Sequence, residues 1–180
     1  MNTTVFEAIN ITKKYRNTLA LNQVSMSVMQ GDIYGFIGEN GAGKTTMIRL
    51  LTGLAEPTTG KIALFGESNK KLAKQRERIG CIIESPSLYL DMTAYENLEV
   101  QRLQRGIPGK GCIDNALALV GLKDTGKKKA KDFSLGMRQR LALAIALLGN
   151  PEFLVLDEPI NGLDPTGIIE LRNLLKRLNK

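Results

Sequence analysis

The sequence predicts an α/β fold with a mostly parallel sheet, an antiparallel β region near the N-terminus and a helical insertion. Continuous apolar runs at 33–37, 79–84 and 153–156 are typical of strands that are buried on both faces. Apolar and polar residues alternate at 5–12 and 24–28, which is typical of half-buried antiparallel strands. A helical pattern follows the first apolar run, and the alternation of strands with helices indicates a parallel core.

A third short strand, at 61–66, is expected to return to the N-terminal antiparallel sheet. It follows the breaking residues Pro57 and Gly60, and it ends at another glycine. The antiparallel part of the domain is therefore predicted to comprise about 1–30 and 61–66.

The composition is that of an ordinary globular domain, with 43% hydrophobic and 24% charged residues in 180. No secretory signal or membrane span is predicted, because the longest apolar stretch, Leu141 to Leu148, is too short to cross a bilayer. A cytosolic chain is expected. The formal charge of +7 suggests nucleic acid as a partner. Nucleic acid is nevertheless not expected, because aromatics are only 5% and the basic residues are dispersed.

The segment 38–45, GENGAGKT, matches the phosphate-cradling pattern G-x-x-x-x-G-K-[ST] at each fixed position. Its glycines allow successive N–H groups to point at an anion, and the following helix adds the positive end of its dipole. Lys44 would reach the β- and γ-phosphates, and the Thr45 hydroxyl would ligate Mg²⁺. A glycine-rich turn that only caps a helix is the alternative. The candidate nucleotide-binding residues here are Gly38, Glu39, Asn40, Gly41, Ala42, Gly43, Lys44, Thr45 and Thr46.

Three carboxylates follow predicted strands, at the sheet edge where ligands bind in open α/β folds. Asp157 and Glu158 follow the apolar run 153–156. Asp157 would hold Mg²⁺ through water, and Glu158 would orient or deprotonate an attacking water. Glu84 ends the run 79–84, where it would lie near the metal and that water; a surface turn is the alternative for Glu84.

Two predicted helices without an intervening strand interrupt the alternation and define an insertion at about 87–132. Thr93 and Glu96 form a capping box that opens the first of them. The second is predicted at about 111–120, from its apolar face and the glycine that follows.

Two helix starts are predicted after the insertion. Ser134 can cap a helix with apolar residues at helical spacing, which creates a second anion site that would be weak support by itself. Asp164 and Pro165 are the N-cap and first residue of another helix. Its expected buried stripe consists of Ile168, Leu171, Leu175 and Leu178.

With these motifs in this order, the chain resembles the nucleotide-binding subunit of ATP-binding-cassette (ABC) transporters along nearly its whole length. The resemblance implies a P-loop NTPase (RecA-like) fold. The segment 38–45 resembles the Walker A loop of this family. Asp157 resembles the Walker B aspartate, and Glu158 resembles the catalytic glutamate that follows it. Tyr15, which the pattern places in a basic loop after a strand, resembles the aromatic platform for adenine; simple packing is the alternative.

Two further segments carry the resemblance. Ser134–Gln139 resembles the signature motif and Asn161–Asp164 the D-loop, while Glu84 stands where the family usually has glutamine. The runs at 83–89 and 161–165 are similar to those of bacitracin-resistance and lantibiotic-immunity exporters.

The resemblance implies an ATPase that binds ATP and Mg²⁺ and drives export through a membrane permease, with antimicrobial-peptide resistance or immunity as the role. Two such domains, in a homodimer, would close ATP between the Walker A loop of one and Ser134 and Gly136 of the other. The chain would lie in the cytoplasm on the inner face of the membrane. The helical insertion and the loop after Glu84 would contact the permease.

The sequence departs from the family pattern in four ways. Glu84 adds a negative charge near the metal, and Leu135 and Met137 replace the usual glycine and glutamine of the signature. The chain has no histidine, so the family's switch histidine is missing. If the C-terminal region that carries it is absent, the predicted strand 33–37 loses its neighbour and becomes an exposed apolar edge. Weak nucleotide binding, little hydrolysis and self-association are then expected.

Two other classes of protein share part of this pattern. A small P-loop kinase would fit the length, but it has no use for paired acids followed by a D-loop. A cassette ATPase that acts on nucleic acid or the ribosome would use closure to grip its target. Members of that class carry either two cassettes in one chain or a long coiled-coil insertion, and this sequence has neither.

Overall fold

A computed structural model describes residues 3–84 and 87–179, which form two compact units. The first unit runs to Ile79 and the second is Gly80–Leu178. The predicted phosphate loop lies in the first unit, and the three predicted carboxylates lie in the second.

The first unit contains a four-stranded antiparallel sheet. Its strands are β1 (Thr4–Tyr15), β2 (Thr18–Met29), β3 (Thr59–Leu64) and β4 (Glu67–Ser68), in the order β2-β1-β3-β4. The third strand pairs with β1, as its sequence predicted, and β4 was not predicted.

The alternation in β1 is interrupted, and the sequence did not reveal this. The register against β2 shifts between Ala8 and Ile11, and that against β3 shifts between Ile9 and Thr12; Asn10 adopts a φ of 50°. As a result Ile11 is fully buried whereas Ile9 is exposed. A bulge moves the following side chains to the other face, so a strict period of two fails across it.

Two helices complete the first unit, α1 (Lys44–Thr52) and α2 (Leu72–Arg76). The Arg76 guanidinium donates hydrogen bonds to the carbonyl oxygens of Leu51 at 3.1 Å and Leu50 at 3.3 Å. A cation therefore satisfies the last carbonyls of α1, where the helix dipole is negative.

The prediction of a strand at 33–37 is wrong, because the structure has no strand there. Residues 33–37 are assigned to neither a helix nor a strand, and Ile37 is 93% exposed. No strand of the described ranges 3–84 and 87–179 pairs with them. A strand needs a neighbour for its backbone hydrogen bonds, so the apolar run alone does not produce one.

The second unit contains a two-stranded sheet of β5 (Ile79–Ile82) and β6 (Phe153–Leu156). The Asp157 N–H donates to the Ile82 carbonyl at 2.9 Å, so the strands end side by side, as parallel strands do. β5 is shorter than predicted. Cys81 is exposed and Glu84 lies beyond the strand, so this run is not buried on both faces.

Helices form most of the second unit: α3 (Ala94–Gln104), α4 (Gly111–Leu119), α5 (Leu135–Leu147) and α6 (Pro165–Leu178). They enclose an apolar core that β5 and β6 also join. Its buried side chains include Leu98, Ile113, Leu117, Leu141, Leu143 and Leu148. No helix among the described residues is both long enough and apolar enough to cross a membrane.

The start of α6 is confirmed, but its buried stripe was only partly predicted. The Asp164 carboxylate accepts a hydrogen bond from the Gly167 N–H at 3.1 Å. The buried residue of α6 is Leu174, whereas Leu178 is 36% exposed. Leu174 stands three residues after Leu171 and four before Leu178, so it shares their face.

Candidate nucleotide-binding site

The loop 38–43 of the first unit is exposed over most of its length. The Ala42 N–H donates to the Glu39 carbonyl at 3.1 Å, which turns the backbone sharply before α1. Asn40 lies at the tip of this turn. The side chains of the loop therefore leave its backbone accessible for a ligand.

Gly43 is required at the junction of loop and helix. Its φ is 90°, a left-handed conformation, and a Cβ there would lie 2.5 Å from the Ala20 carbonyl oxygen and 2.7 Å from Leu21 Cδ2. It is also the N-cap of α1. Because glycine has no side chain, the cap residue supplies no acceptor for the first amides of the helix.

The Lys44 ammonium is held at the mouth of this loop. It donates hydrogen bonds to the carbonyl oxygens of Gly38 at 2.7 Å and Glu39 at 2.9 Å. Thr45 and Thr46, in the first turn of α1, are partly buried. A positive charge, exposed loop backbone and a helix start without a capping side chain fit a phosphate group.

Tyr15 is the last residue of β1, not a loop residue as predicted. The residue is 39% exposed, and the Lys13 ammonium lies 4.8 Å from the centroid of its ring. One face of the ring is thus covered by a cation. Lys13 was not among the predicted site residues, although its position two residues before Tyr15 in a strand was an available signal.

In the second unit, the two acids after β6 lie in different environments. Asp157 is 6% exposed, whereas Glu158 is exposed and adopts a φ of 47°. The side-chain amide of Asn161 donates a hydrogen bond to the Glu158 carboxylate. A left-handed conformation in a residue other than glycine is uncommon, and it directs Glu158 differently from its neighbour.

Glu84 shows the same backbone feature. It stands two residues after β5, is exposed, and has a φ of 58°, while Glu158 stands two residues after β6. Each strand of the sheet is therefore followed at the same distance by a glutamate in the left-handed region. The loop after Glu84 begins with Ser85 and Pro86, which lie outside the described residues.

The start of α5 lies against the segment that follows Glu158. Ser134 caps α5 as predicted, and its hydroxyl oxygen accepts from the Met137 N–H at 3.2 Å. The Leu135 side chain covers Gly162 so closely that a Cβ on Gly162 would clash with it. At Gly136 a Cβ would lie 3.6 Å from Leu163 Cδ2. The structure thus brings the predicted signature and D-loop segments together within one unit.

Gln139 adds a contact that sequence reasoning missed. Its side-chain amide donates to the Pro159 carbonyl at 3.1 Å, which ties α5 to the residue after Glu158. In the sequence, only the position of Gln139 inside the signature segment indicated that this residue could belong to the site.

The described residues contain no cluster of three acidic, cysteine or histidine side chains that could hold a metal. This is compatible with Mg²⁺, which keeps several waters and commonly binds through one or two protein groups and phosphate oxygens. Thr45 and Asp157 supply ligands of the right kind. They belong to different units, so their convergence, like that of Lys44 with Asp157, stays a prediction.

A phosphate loop at a helix start and paired acids after a strand define the class of P-loop nucleotide-binding domains. The family described as "ABC transporter" matches residues 21–161. The chain belongs to this family.

Relatives and a solved structure agree with this assignment. The chain is 49% identical over 178 residues to the bacitracin transport ATP-binding protein BcrA of Bacillus licheniformis, covering 98% of this chain and 58% of that protein. It is 43% identical over 167 residues to the lantibiotic transport ATP-binding protein SrtF of Streptococcus pyogenes, covering 93% and 72% respectively.

The fold class is confirmed by a dimeric structure of the ATP-binding cassette MJ0796 in a post-hydrolysis state with ADP and Pi. It matches with a TM-score of 0.83 and 26% identity, over 97% of this chain and 83% of that one. This chain spans somewhat more than half the length of the BcrA protein to which it is similar.

Proposed function

We propose that this chain is the ATP-binding and ATP-hydrolysing part of a membrane exporter. The observation that carries the proposal is the Lys44 ammonium, held by two loop carbonyls at a helix start whose cap residue has no side chain. Such a site favours a phosphate by charge and by backbone N–H groups together.

In this proposal each unit supplies part of the chemistry. Residues 38–46 hold the phosphates and Tyr15 stacks on the adenine. Glu158 accepts a proton from the attacking water, or orients that water, and Asn161 fixes its carboxylate. Bound Mg²⁺, ligated by Thr45 and through water by Asp157, would neutralise charge on the phosphates. Glu84 would contribute a carboxylate near the metal in place of the usual amide.

The proposed functional state is a homodimer. Ser134 and Gly136 lie at the start of α5 and line a cleft of about 800 Å³ in the second unit. The Ser134 hydroxyl oxygen already accepts from Met137, but its O–H still has a proton to donate to a phosphate. The solved relative with ADP and Pi is a dimer, which supports this arrangement.

A permease subunit is the proposed partner, and it would hold the chain at the cytoplasmic face of the membrane. Relatives named for bacitracin transport and lantibiotic transport support an antimicrobial peptide as the exported compound. We place permease contact on the helical insertion around α3 and α4 and on the loop after Glu84.

The test is ATP-dependent dimer formation in the full natural chain. With Glu158→Gln, bound ATP is not hydrolysed, and we expect ATP with Mg²⁺ to convert monomers into dimers in light scattering. The matched control adds Lys44→Ala to the same variant and is expected to remain monomeric. A Glu158→Gln protein that binds ATP yet stays monomeric would contradict the proposed closure.

A further inference from the structure

Lys13 and Tyr15 lie on the same face of β1, because side chains two residues apart in a strand point the same way. The Lys13 ammonium lies 4.8 Å from the centroid of the Tyr15 ring, within the distance at which a cation is attracted to an aromatic face. The cation lies over one face of the ring, and Tyr15 is 39% exposed, so a planar ligand can reach this residue.

Lys13 is itself fixed from the opposite side. Its ammonium donates a hydrogen bond to the Glu56 carbonyl at 2.7 Å. Glu56 belongs to the connection between α1 and β3, the segment that directly follows the phosphate-loop helix. The cation therefore joins the tyrosine ring to the connection that follows α1.

Two hydrogen bonds to the backbone of β1 hold this connection against the strand. The Thr58 N–H donates to the Thr12 carbonyl at 2.8 Å, and the Lys14 N–H donates to the Thr58 hydroxyl at 3.0 Å. Because Lys13 stands between these contacts, its position relative to the connection is set by the backbone.

We propose that Lys13 is a positioning residue for purine nucleotides, and that it acts through the Tyr15 ring. It holds the ring in one orientation before the ligand arrives, so stacking orders fewer side-chain torsions. This inference rests on the proposed function, in which Tyr15 stacks on adenine. It assigns Lys13 no direct contact with phosphate.

The adjacent lysine provides a matched control. Lys14 carries the same charge at the next position and is exposed, whereas the contact with the Tyr15 ring belongs to Lys13. Lys13→Gln and Lys14→Gln therefore remove equal charge from nearly the same place. A difference between them reports the contacts of the Lys13 ammonium, with the ring and with Glu56, instead of general attraction for an anion.

The experiment is calorimetric titration of both variants with ATP and, separately, with inorganic tripolyphosphate, which has no base to stack. We expect Lys13→Gln to bind ATP about threefold more weakly than Lys14→Gln does. Tripolyphosphate should bind the two variants equally. Lys13→Arg, which keeps a cation over the ring, should restore ATP affinity. Equal ATP affinity of the two glutamine variants would overturn the inference.

A Tyr15→Leu background separates this inference from the proposed function. Tyr15→Leu alone should weaken ATP binding, and in that background Lys13→Gln should cost no more than Lys14→Gln. An unchanged ATP affinity in Tyr15→Leu would remove the stacking role and the inference together. If Tyr15→Leu weakens ATP binding but Lys13→Gln and Lys14→Gln have equal ATP affinity in the chain that keeps Tyr15, only the role of Lys13 would be removed.

Discussion

The helix that follows the phosphate loop and the first helix of the insertion begin in opposite ways. α1 begins after Gly43, which has no side chain to offer its amides. α3 begins after Thr93, whose hydroxyl oxygen accepts from the Glu96 N–H at 3.2 Å while the Glu96 carboxylate accepts from the Thr93 N–H at 2.7 Å. The start of α1, whose cap residue supplies no side-chain acceptor, thus leaves its first amides available to an external anion.

The start of α5 lies between these extremes. Ser134 satisfies one amide of its helix through its hydroxyl oxygen, but it brings no negative charge. An anion can still approach this start, in contrast to that of α3, where a carboxylate is already present. The three helix starts therefore predict different sensitivities to substitution.

The largest effect is expected at the start of α1. Gly43→Ala forces a Cβ into a left-handed backbone and toward the Ala20 carbonyl oxygen, so we expect a loss of about 3 kcal/mol of unfolding free energy. Gly41→Ala is the matched control. Gly41 has a similar φ of 84° but nothing within 4 Å of a Cβ, so a loss of about 1 kcal/mol is expected. Denaturant unfolding without nucleotide measures both, and equal losses would contradict the steric role of the Ala20 contact.

An intermediate effect is expected at the start of α5. Ser134→Ala removes the cap and should lower the unfolding free energy by about 1 kcal/mol, while Ser134→Asp, also a good cap, should retain it. ATP-dependent dimerisation should nevertheless fail in Ser134→Asp, because a carboxylate would face the triphosphate. A dimer that forms normally in Ser134→Asp would show that this helix start does not meet the nucleotide.

The smallest effect is expected at α3 and depends on pH. Two hydrogen bonds hold the pKa of Glu96 below the ordinary 4.5. The larger effect comes from the backbone of Thr93 and the smaller from the Thr93 side chain. A lowered pKa in the folded state stabilises the fold above the ordinary value, and this contribution is lost as the pH falls through the folded pKa. Glu96→Gln should therefore lose less stability than the parent chain between neutral pH and pH values below 4.5. Thermal unfolding at a series of pH values measures this difference. If the stability of Glu96→Gln and that of the parent chain fall equally with pH, the prediction is contradicted.

Local chemistry made much of the fold readable from the sequence. The cap at Ser134, the capping box at Thr93 and the cap at Asp164 were predicted and are confirmed. These features depend on residues within three positions of one another, so spacing alone is sufficient. The antiparallel return of β3 to β1 likewise followed from a turn signal and a short apolar run.

Features that depend on distant partners were missed. Alternation predicts Ile9 and Ile11 on the same face of β1. They lie on opposite faces because of a bulge, which depends on the pairing with β2 and β3. Residues 33–37 are apolar enough for a strand, but apolar character does not provide the neighbouring strand that backbone pairing needs. Lys13 was not predicted as a site residue, because nothing in its spacing reveals Glu56.

The sequence by itself determined the class of the site. Its two motifs are a glycine loop with lysine and threonine, and paired acids after an apolar strand. The chemistry of both motifs depends on residue type and spacing, which the sequence shows directly. The tertiary structure decided which groups support them. Leu135 over Gly162, Gln139 on Pro159, and Lys13 against Glu56 join residues that are distant in the chain, so no local pattern encodes these contacts. The physical reason is range: backbone conformation is set mainly by near neighbours in the chain, whereas packing is set by whichever elements the fold brings together.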